Sequence, residues 1–198
     1  LMVEISGKYK IGTRRFGSIN WIGAWTLYKK EVLRFLIVWI QTLFSPLITS
    51  LLFLSVLSLA IGNERGDVLG VPFIVFLAPG LIAMQIIQQA FSHSSSSFMI
   101  GKIQGNIVDL IYAPLSAGEV TLAVTLASVT RSVLIAIISL LVFYLFIDLE
   151  IKNFFTLIVF TLLSAFSLGA LGIIAGLWAE KFDHMATVTN FVIIPLSF

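Results

Sequence analysis

The feature that most constrains this chain is Phe35–Ile61, a run of 27 residues in which no side chain carries a charge. A helix needs about 20 predominantly apolar residues to cross the hydrocarbon core of a bilayer. This run is therefore long enough to span a membrane with some tilt. Pro46 lies near its middle and predicts a kink there.

Further apolar runs repeat this pattern along the chain. Together with the first, they predict membrane spans at residues 35–61, 71–100, 120–146, 154–178 and 186–198. The last run is shorter than a full span, so we expect a fifth span that is cut short where the sequence stops. Charged residues make up 11% of the 198 residues, against about 25% in soluble domains. We therefore predict an all-α polytopic transmembrane bundle, with residues 1–198 forming a single membrane domain.

An aromatic and basic segment precedes the first span. Trp21, Trp25 and Tyr28 recur at helical spacing beside several basic side chains, a pattern typical of a helix in the lipid headgroup region. Residues 1–34 are therefore expected to form a cytoplasmic tail and an interfacial helix. The alternative is an ordinary helical extension of the first span.

Lysine and arginine predict the orientation, because cytoplasmic loops carry an excess of both. With a cytoplasmic N-terminus, most basic residues lie on that side: Lys8, Lys10, Arg14, Arg15, Lys29, Lys30, Arg34, Lys102 and Lys181. Only Arg65 and Lys152 then lie on the other side. We therefore predict that the N-terminus is cytoplasmic.

The longest polar interruption between two spans is Gly101–Pro114, within a predicted cytoplasmic segment at 101–118. Read as a helix, it separates into an apolar face with Ile103, Ile107, Leu110 and Ile111, and a polar face with Lys102, Asn106 and Asp109. Pro114 ends this element, because proline cannot continue a helix without the loss of a hydrogen bond. The pattern predicts a short amphipathic helix that lies at the membrane surface or docks into a partner.

A polar stripe follows one side of the predicted second span. Its members recur at helical spacing: Gln85, Gln88, Gln89, Ser92, Ser95 and Ser96. Amide and hydroxyl groups lack partners in lipid, so we expect this side to face protein or a water-filled path. It either lines a translocation route for a polar substrate or forms hydrogen bonds between packed helices. We expect the helix to continue through Ser94–Ser97 rather than to end near Ala90.

Arg131 is the one charged residue in the predicted third span. It lies near mid-membrane depth, given a rise of about 1.5 Å per residue. A charge there costs at least about 2.5–3.5 kcal/mol, so it requires a polar environment. The sequence does not identify its hydrogen-bond partner, which is an amide of the second span, a backbone carbonyl, water or the missing C-terminal part of the protein. Its role is either gating or structural. Our candidates for the translocation path are Gln85, Gln88, Gln89, Ser92 and Arg131.

Small residues recur along one face of the fourth span. Ala165, Gly169, Gly172 and Gly176 lie at i, i+4, i+7 and i+11. This spacing lets another helix approach closely, either within the chain or between two copies.

Catalytic and metal-binding patterns are absent from the sequence. It holds no GxxxxGK[ST] phosphate loop, no HExxH and no GxSxG, and it has no cysteine. His93 and His184 stand far apart. We therefore expect no catalytic residue, metal or cofactor in this chain, and the small, scattered net charge of +2 does not favour nucleic acid.

The order of these parts resembles the membrane subunit of type-2 ABC exporters, a group that includes permeases for nodulation factors, drugs and polysaccharides. The similar stretches are KKEVLRFLIVWIQTLFSP (Lys29–Pro46), FLAPGLIAMQ (Phe76–Gln85), IQGNIVDLIYAPLS (Ile103–Ser116), VTRSVLIAI (Val129–Ile137) and KFDHMATVTNFVIIPLSF (Lys181–Phe198). They look like, in turn, the family's elbow helix with its first span, its second-span motif, its coupling helix, its arginine-containing third span and the start of its fifth span.

The resemblance implies a six-span permease of the bacterial inner membrane that works as a homodimer with two copies of a cytoplasmic ABC ATPase. ATP and Mg would be bound by that partner, and this chain would not be an enzyme. The resemblance also implies that the ATPase acts on the spans through the coupling residues Gln104, Asn106, Ile107, Asp109 and Leu110. Among these, Ile107 and Leu110 are expected to be held by the ATPase.

The function implied is export of an amphipathic, glycan or lipid-linked substrate, or of a drug, out of the cytoplasm. An ion-coupled secondary transporter is one alternative, but it would need titratable residues near the midplane, and the spans offer only Arg131. A membrane-embedded transferase is another alternative, opposed by the missing cluster of carboxylates or histidines. The polar stripe counts against a membrane scaffold that transports nothing.

Overall fold

A computed structural model describes residues 19–61, 68, 70–147 and 153–197 of the chain. Over these ranges the chain is helical, and the only β-type pairing is an isolated bridge between Val68 and Val71. The prediction of an all-α fold is confirmed. The basic tail before residue 19, the polar turn at 63–67 and most of the turn at 148–153 lie outside the described residues.

The described helices follow one another along the chain with short connections. They are α1 (Trp21–Ile37), α2 (Ser45–Ile61), α3 (Phe73–Ile103), α4 (Ile107–Tyr112), α5 (Ala117–Phe146), α6 (Phe154–Trp178), α7 (Phe182–Val188) and α8 (Ile194–Ser197). Two π-helical turns, Ile40–Phe44 and Thr189–Ile193, precede α2 and α8.

Within the described residues, four helical stretches are long and apolar enough to cross a membrane. They are Ile40–Ala60, Phe73–Ile103, Ala117–Phe146 and Phe154–Trp178, and they coincide with the first four predicted spans. The predicted fifth span is helical through α7, the second π-helical turn and α8, but it is not among these four. Its assignment as a span stays a prediction.

The first span departs from α-helical geometry one turn before Pro46. Because proline has no N–H, the carbonyl of Thr42 lacks its usual α-helical donor. The chain forms a π-helical turn at Ile40–Phe44, and α2 then begins at Ser45. The irregularity predicted at Pro46 therefore takes the form of a π-helical turn, a feature that is frequent at functional sites.

The second span, α3, lies at the centre of the bundle and packs most extensively against α6 and α5. A Cβ atom added to Gly172 would lie 2.5 Å from the carbonyl oxygen of Phe91, and one added to Gly176 would lie 2.7 Å from that of Ser95. Only glycine permits backbones to come this close. The small-residue face of α6 is therefore used for packing within the chain, with Gly172 and Gly176 against α3 and Gly169 against Ser128 of α5.

The first helix, α1, packs against the bundle along one face. Leu27, Glu31 and Phe35 recur every four residues and are buried. Trp21 and Trp25 point away from the bundle and are 72% and 64% exposed. This division places α1 against the bundle and leaves its two tryptophans outside.

Candidate functional site

The polar interruption after the second span is not one helix. α3 continues to Ile103, the chain turns over residues 104–106, and α4 begins at Ile107. Gly105 lies in this turn with a φ of +76°, a conformation that glycine adopts without steric cost. The predicted continuous helix over Gly101–Pro114 is therefore wrong, because its first turn belongs to α3. Its predicted end is confirmed, since α4 stops at Tyr112, just before Pro114.

The break in the helix changes which side chains of α4 face outwards. Ile107 and Leu110 are half-buried. They pack against a cluster formed by Leu27, Phe98, Ala123, Val124 and Ile173. Val108, Ile111 and Tyr112 are instead 48%, 73% and 84% exposed. The predicted apolar face therefore holds α4 to its own bundle, and a second apolar face points away from it.

The polar coupling candidates lie around the same turn. Gln104 and Asn106 are exposed and joined by a 3.2 Å hydrogen bond from Asn106 Nδ2 to Gln104 Oε1. Asp109 is exposed in the first turn of α4, where a negative charge interacts favourably with the helix dipole. The role of all five coupling candidates stays a prediction, but three of them are accessible to a partner.

The chain just after α4 is tied to the start of α1. Asn20 Nδ2 donates to the carbonyl oxygen of Pro114 at 3.2 Å, and Asn20 N–H donates to Glu119 Oε1 at 2.5 Å. The other carboxylate oxygen of Glu119 accepts from Ser116 N–H at 2.7 Å, while Ser116 Oγ accepts from Glu119 N–H. Ser116 and Glu119 thus form a capping box that begins α5. The ends of α4, α1 and α5 are therefore joined at one place.

Lys102 joins the end of α3 to the end of α6. Its Nζ donates to the carbonyl oxygens of Leu177 and Ala179, the second at 3.0 Å. Carbonyls at a helix C-terminus lack partners within the helix and carry partial negative charge. Lys102 therefore stabilises the C-terminus of α6, a role that was not predicted from its place on a polar face.

The polar stripe of α3 lines two clefts beside the first span. The larger cleft has a volume of about 320 Å³, and Gln89, Ser92 and Arg131 contribute to its lining. The smaller cleft, of about 200 Å³, is lined in part by Gln85, Gln88 and Gln89. The candidates for the translocation path are therefore brought together, on the side of α3 that faces the first span.

Arg131 is paired with the amide of Gln89. Its Nη2 donates to Gln89 Oε1 at 2.6 Å, so an amide of the second span is its partner among the possibilities left open by the sequence. Arg131 Nε is buried and has no hydrogen-bond partner among the residues that the structure describes. Within residues 19–61, 70–147 and 153–197, no carboxylate forms an ion pair with Arg131.

Other members of the stripe form hydrogen bonds to groups on helices. Gln85 Nε2 donates to the carbonyl oxygen of Pro46 at 2.5 Å, and Gln88 Nε2 donates to Ser197 Oγ at 3.0 Å. Ser95 Oγ donates to a carbonyl of its own helix. Both interpretations of the stripe therefore have support, with Gln85 and Gln88 joining helices and Gln89 and Ser92 lining the larger cleft.

A buried charged cluster at the contact between α1 and α3 was not predicted. Glu31 Oε2 lies 3.0 Å from Arg34 Nη2 and 3.8 Å from His93 Nε2. Arg34 Nη2 also donates to the carbonyl oxygen of His93 at 3.2 Å. Burial lowers the pKa of Arg34, and the carboxylate of Glu31 acts in the opposite direction. One pattern in the sequence points to this cluster, because Glu31 falls on the same helical face as Leu27 and Phe35.

Metal binding finds no support in the described part of the chain, where no three histidine, aspartate or glutamate side chains lie close enough together to hold an ion.

The sequence matches one known protein family over most of its length. The sequence model of the ABC-2 type transporter family matches residues 23–198. The chain belongs to this family. The resemblance drawn from the sequence is thereby confirmed.

The ABC-2 chain is also similar to individual proteins of known family. It is 29% identical over 180 residues to the inner membrane transport permease YadH of Escherichia coli K12, with 91% of this chain and 70% of the relative covered. The same values hold for the permeases of that name from Escherichia coli O157:H7 and Shigella flexneri. No solved structure matches the chain.

Membership of this family fixes the broad function. The chain is the membrane subunit of an ABC transporter, a multi-pass inner membrane protein and a transport protein rather than an enzyme. ABC-2 permeases generally pair with an ABC ATPase. The four apolar helices agree with this assignment.

Proposed function

We propose that this ABC-2 chain is an export permease that works as a homodimer with two copies of a cytoplasmic ABC ATPase. Its substrate is an amphipathic, glycan or lipid-linked molecule, or a drug, which leaves the cytoplasm as the ATPase hydrolyses ATP. ATP and Mg are bound by the ATPase and not by this chain. The observation that carries the proposal is the position of α4, which connects two spans and presents an exposed apolar face.

This face has the arrangement of a docking helix. Val108, Ile111 and Tyr112 lie at i, i+3 and i+4 and are all exposed. Side chains at this spacing anchor a helix in a groove on a partner. Asp109 adds a charge beside them. We propose that the ATPase holds Ile111 and Tyr112, in addition to the polar side chains of Gln104 and Asn106.

The inner face of α4 supports the transmission of force. Ile107 and Leu110 pack on residues from α1, α3, α5 and α6, because the cluster beneath them includes Leu27, Phe98 and Ile173. A displacement of α4 would therefore act on four helices at once. Packed interiors respond to such displacements by discrete shifts rather than by continuous deformation. We propose that closure of the two ATPases reaches the spans in this way.

The topology forms part of the proposal. We propose a cytoplasmic N-terminus, with α1 as an interfacial helix and a fifth span within residues 186–198 of an expected six. The start of α1, α4 and the end of α6 meet at one end of the bundle, where Lys102 also lies. We propose that this end faces the cytoplasm, because cytoplasmic segments carry an excess of lysine and arginine. The family match does not support the ion-coupled transporter or transferase alternatives.

Purification of the complex tests the proposal. The full-length permease is tagged, expressed with its proposed ABC ATPase partner and purified in a mild detergent. We expect native mass spectrometry to show two copies of each chain, and ATP hydrolysis to rise when the permease is present. A permease recovered without the ATPase, and an ATPase whose turnover does not respond to the permease, would overturn the proposal. Uptake into inside-out membrane vesicles then gives the direction of transport.

A further inference from the structure

Arg131 has more hydrogen-bonding capacity than its protein partner uses. A guanidinium carries five N–H donors, and Gln89 Oε1 accepts from one of its nitrogens. Arg131 Nε is buried and finds no acceptor in the described part of the chain. A buried donor without an acceptor costs about 1–3 kcal/mol. Because Arg131 also lines the larger cleft, its guanidinium supplies a charged donor group there.

The lining of this cleft is polar and positively charged. Its polar side chains come from three spans: Gln41, Thr42, Ser45, Gln89, Ser92 and Arg131. No carboxylate is among the described residues that line it. Amide and hydroxyl groups add further donors around the guanidinium. The chemistry of this cleft favours an anion.

A second guanidinium strengthens the positive field. Arg34 donates to the carbonyl of His93, and Arg131 donates to the side chain of Gln89. Residues 89 and 93 are four apart on α3, so the two contacts lie along one helix face, about 6 Å apart in rise. Glu31 pairs with Arg34 and balances one of the two charges. Within the described residues, the charge of Arg131 has no such balance.

The size of the cleft limits what it can hold. Its volume of about 320 Å³ lies at the small end of ligand pockets, which measure about 300–1,000 Å³. A headgroup fits this volume, whereas a whole amphiphile does not. The cleft lies on the first span, which is the least buried of the four inside the chain, so that apolar chains of a ligand can extend along it.

We propose that this cleft binds the oxyanion headgroup, a phosphate or a carboxylate, of the transported amphiphile, with Arg131 as its principal contact. This inference rests on the proposed function and names a substrate class for it. Guanidinium groups bind phosphate and carboxylate through two parallel hydrogen bonds, which gives both affinity and orientation. Such a ligand also supplies the counter-charge that an arginine at this depth lacks.

Lipid binding to the full-length permease in maltoside detergent, without ATPase or ATP, tests the inference. The probes are dioctanoyl phosphatidic acid and dioctanoylglycerol, which differ by the phosphate, and bound lipid is counted by native mass spectrometry. We expect a preference of about tenfold or more for phosphatidic acid, in line with charge-assisted bonds. Arg131→Gln is expected to reduce the preference to about twofold or less.

Two further variants separate loss of the site from loss of the fold. Ser92→Asp places a carboxylate on an exposed position of the cleft, keeps Arg131 and is expected to abolish the preference. Lys29→Gln removes an exposed charge from α1 and is expected to leave the preference unchanged. A preference that survives in Arg131→Gln and Ser92→Asp, or that is absent in the native protein, would overturn the inference.

A competition with inorganic phosphate distinguishes the sources of the oxyanion. We expect phosphate to displace phosphatidic acid only at a large excess, because it lacks the apolar chains. Displacement at equal concentration would assign the cleft to a soluble anion and overturn the assignment to an amphiphile. Because this assay contains no ATPase, its outcome is independent of whether the permease couples to one.

Discussion

The backbone N–H of Asn20 donates to the carboxylate of Glu119 at 2.5 Å, although the two residues stand 99 positions apart. Both are buried, at 4% and 6% exposure. The contact lies where α1 and α5 begin. The side chain of Asn20 also donates to the carbonyl oxygen of Pro114, which lies two residues beyond the end of α4 at Tyr112. The segment that we assign to ATPase coupling is therefore anchored to two other helices by hydrogen bonds.

Glu119→Ala tests this anchor. It removes the acceptor for two backbone N–H groups, those of Asn20 and Ser116, and leaves the Asn20 donor buried. We expect a loss of about 1–3 kcal/mol in the free energy of unfolding, measured by thermal unfolding in detergent. Glu180→Ala removes an exposed carboxylate and serves as the control. Equal shifts in both variants would show that the anchor contributes nothing.

Gly172→Ala tests the close approach of α6 to α3. The added Cβ would lie 2.5 Å from the carbonyl oxygen of Phe91, so the two backbones must separate. We expect destabilisation by about 1–3 kcal/mol, as for overpacked cores, seen as a lower midpoint of thermal unfolding. Gly80→Ala is the matched control, because no atom lies within 4 Å of its added Cβ. An unchanged midpoint for Gly172→Ala would contradict the packing described here.

Gln89→Leu tests the pairing of the mid-membrane arginine. The change removes the acceptor of Arg131 and leaves a charged donor without a protein partner. We expect a loss of about 1–3 kcal/mol in stability in detergent. Gln41→Leu, an exposed amide of the same cleft, is expected to have a smaller effect. Equal unfolding temperatures for the two variants would contradict a stabilising pair between Arg131 and Gln89.

Glu31→Gln tests the buried cluster between α1 and α3. The substitution keeps the size of the side chain but removes the charge that faces Arg34 at 3.0 Å. Removal of one partner from a buried ion pair is strongly destabilising, though Arg34 is 29% exposed and solvent reduces the effect to about 1–3 kcal/mol. Thermal unfolding measures the change. A midpoint equal to that of the native protein would show that the charge of Glu31, which also lies 3.8 Å from His93 of α3, contributes nothing to stability.

The sequence predicts the spans well because their apolar length follows from bilayer thickness alone. The helical serine run and the end of α4 at Tyr112 are further correct predictions, since Phe98 keeps the apolar face in phase and Pro114 cannot continue a helix. Both depend on local chemistry, which a single sequence contains.

A local turn at Gly105 and several tertiary contacts account for what the sequence did not predict. Helical periodicity across Gly105 placed Ile103 and Ile107 on one face, but the positive φ at Gly105 interrupts the helix between them. The burial of Ile107 depends on Leu27, which is distant in sequence. The approach of Glu31 to His93 likewise requires knowledge of how α1 packs. Periodicity predicts which side chains share a face of a helix, but only the tertiary structure shows what that face packs against.

The central claim is that an ABC ATPase drives this permease through the exposed face of α4. The most direct measurement is permease-stimulated ATP hydrolysis by the complex in nanodiscs, for Ile111→Asp against the conservative Ile111→Leu. Ile107→Asp provides a contrast, because its half-buried side chain packs on the bundle and its loss should also lower the unfolding temperature.

We expect Ile111→Asp to reduce the stimulation by about tenfold or more, the effect of losing a central contact of an interface. Its unfolding temperature should stay that of the native protein, because Ile111 is 73% exposed. Ile111→Leu should retain the stimulation. Full stimulation of the ATPase by the Ile111→Asp permease would contradict the claim.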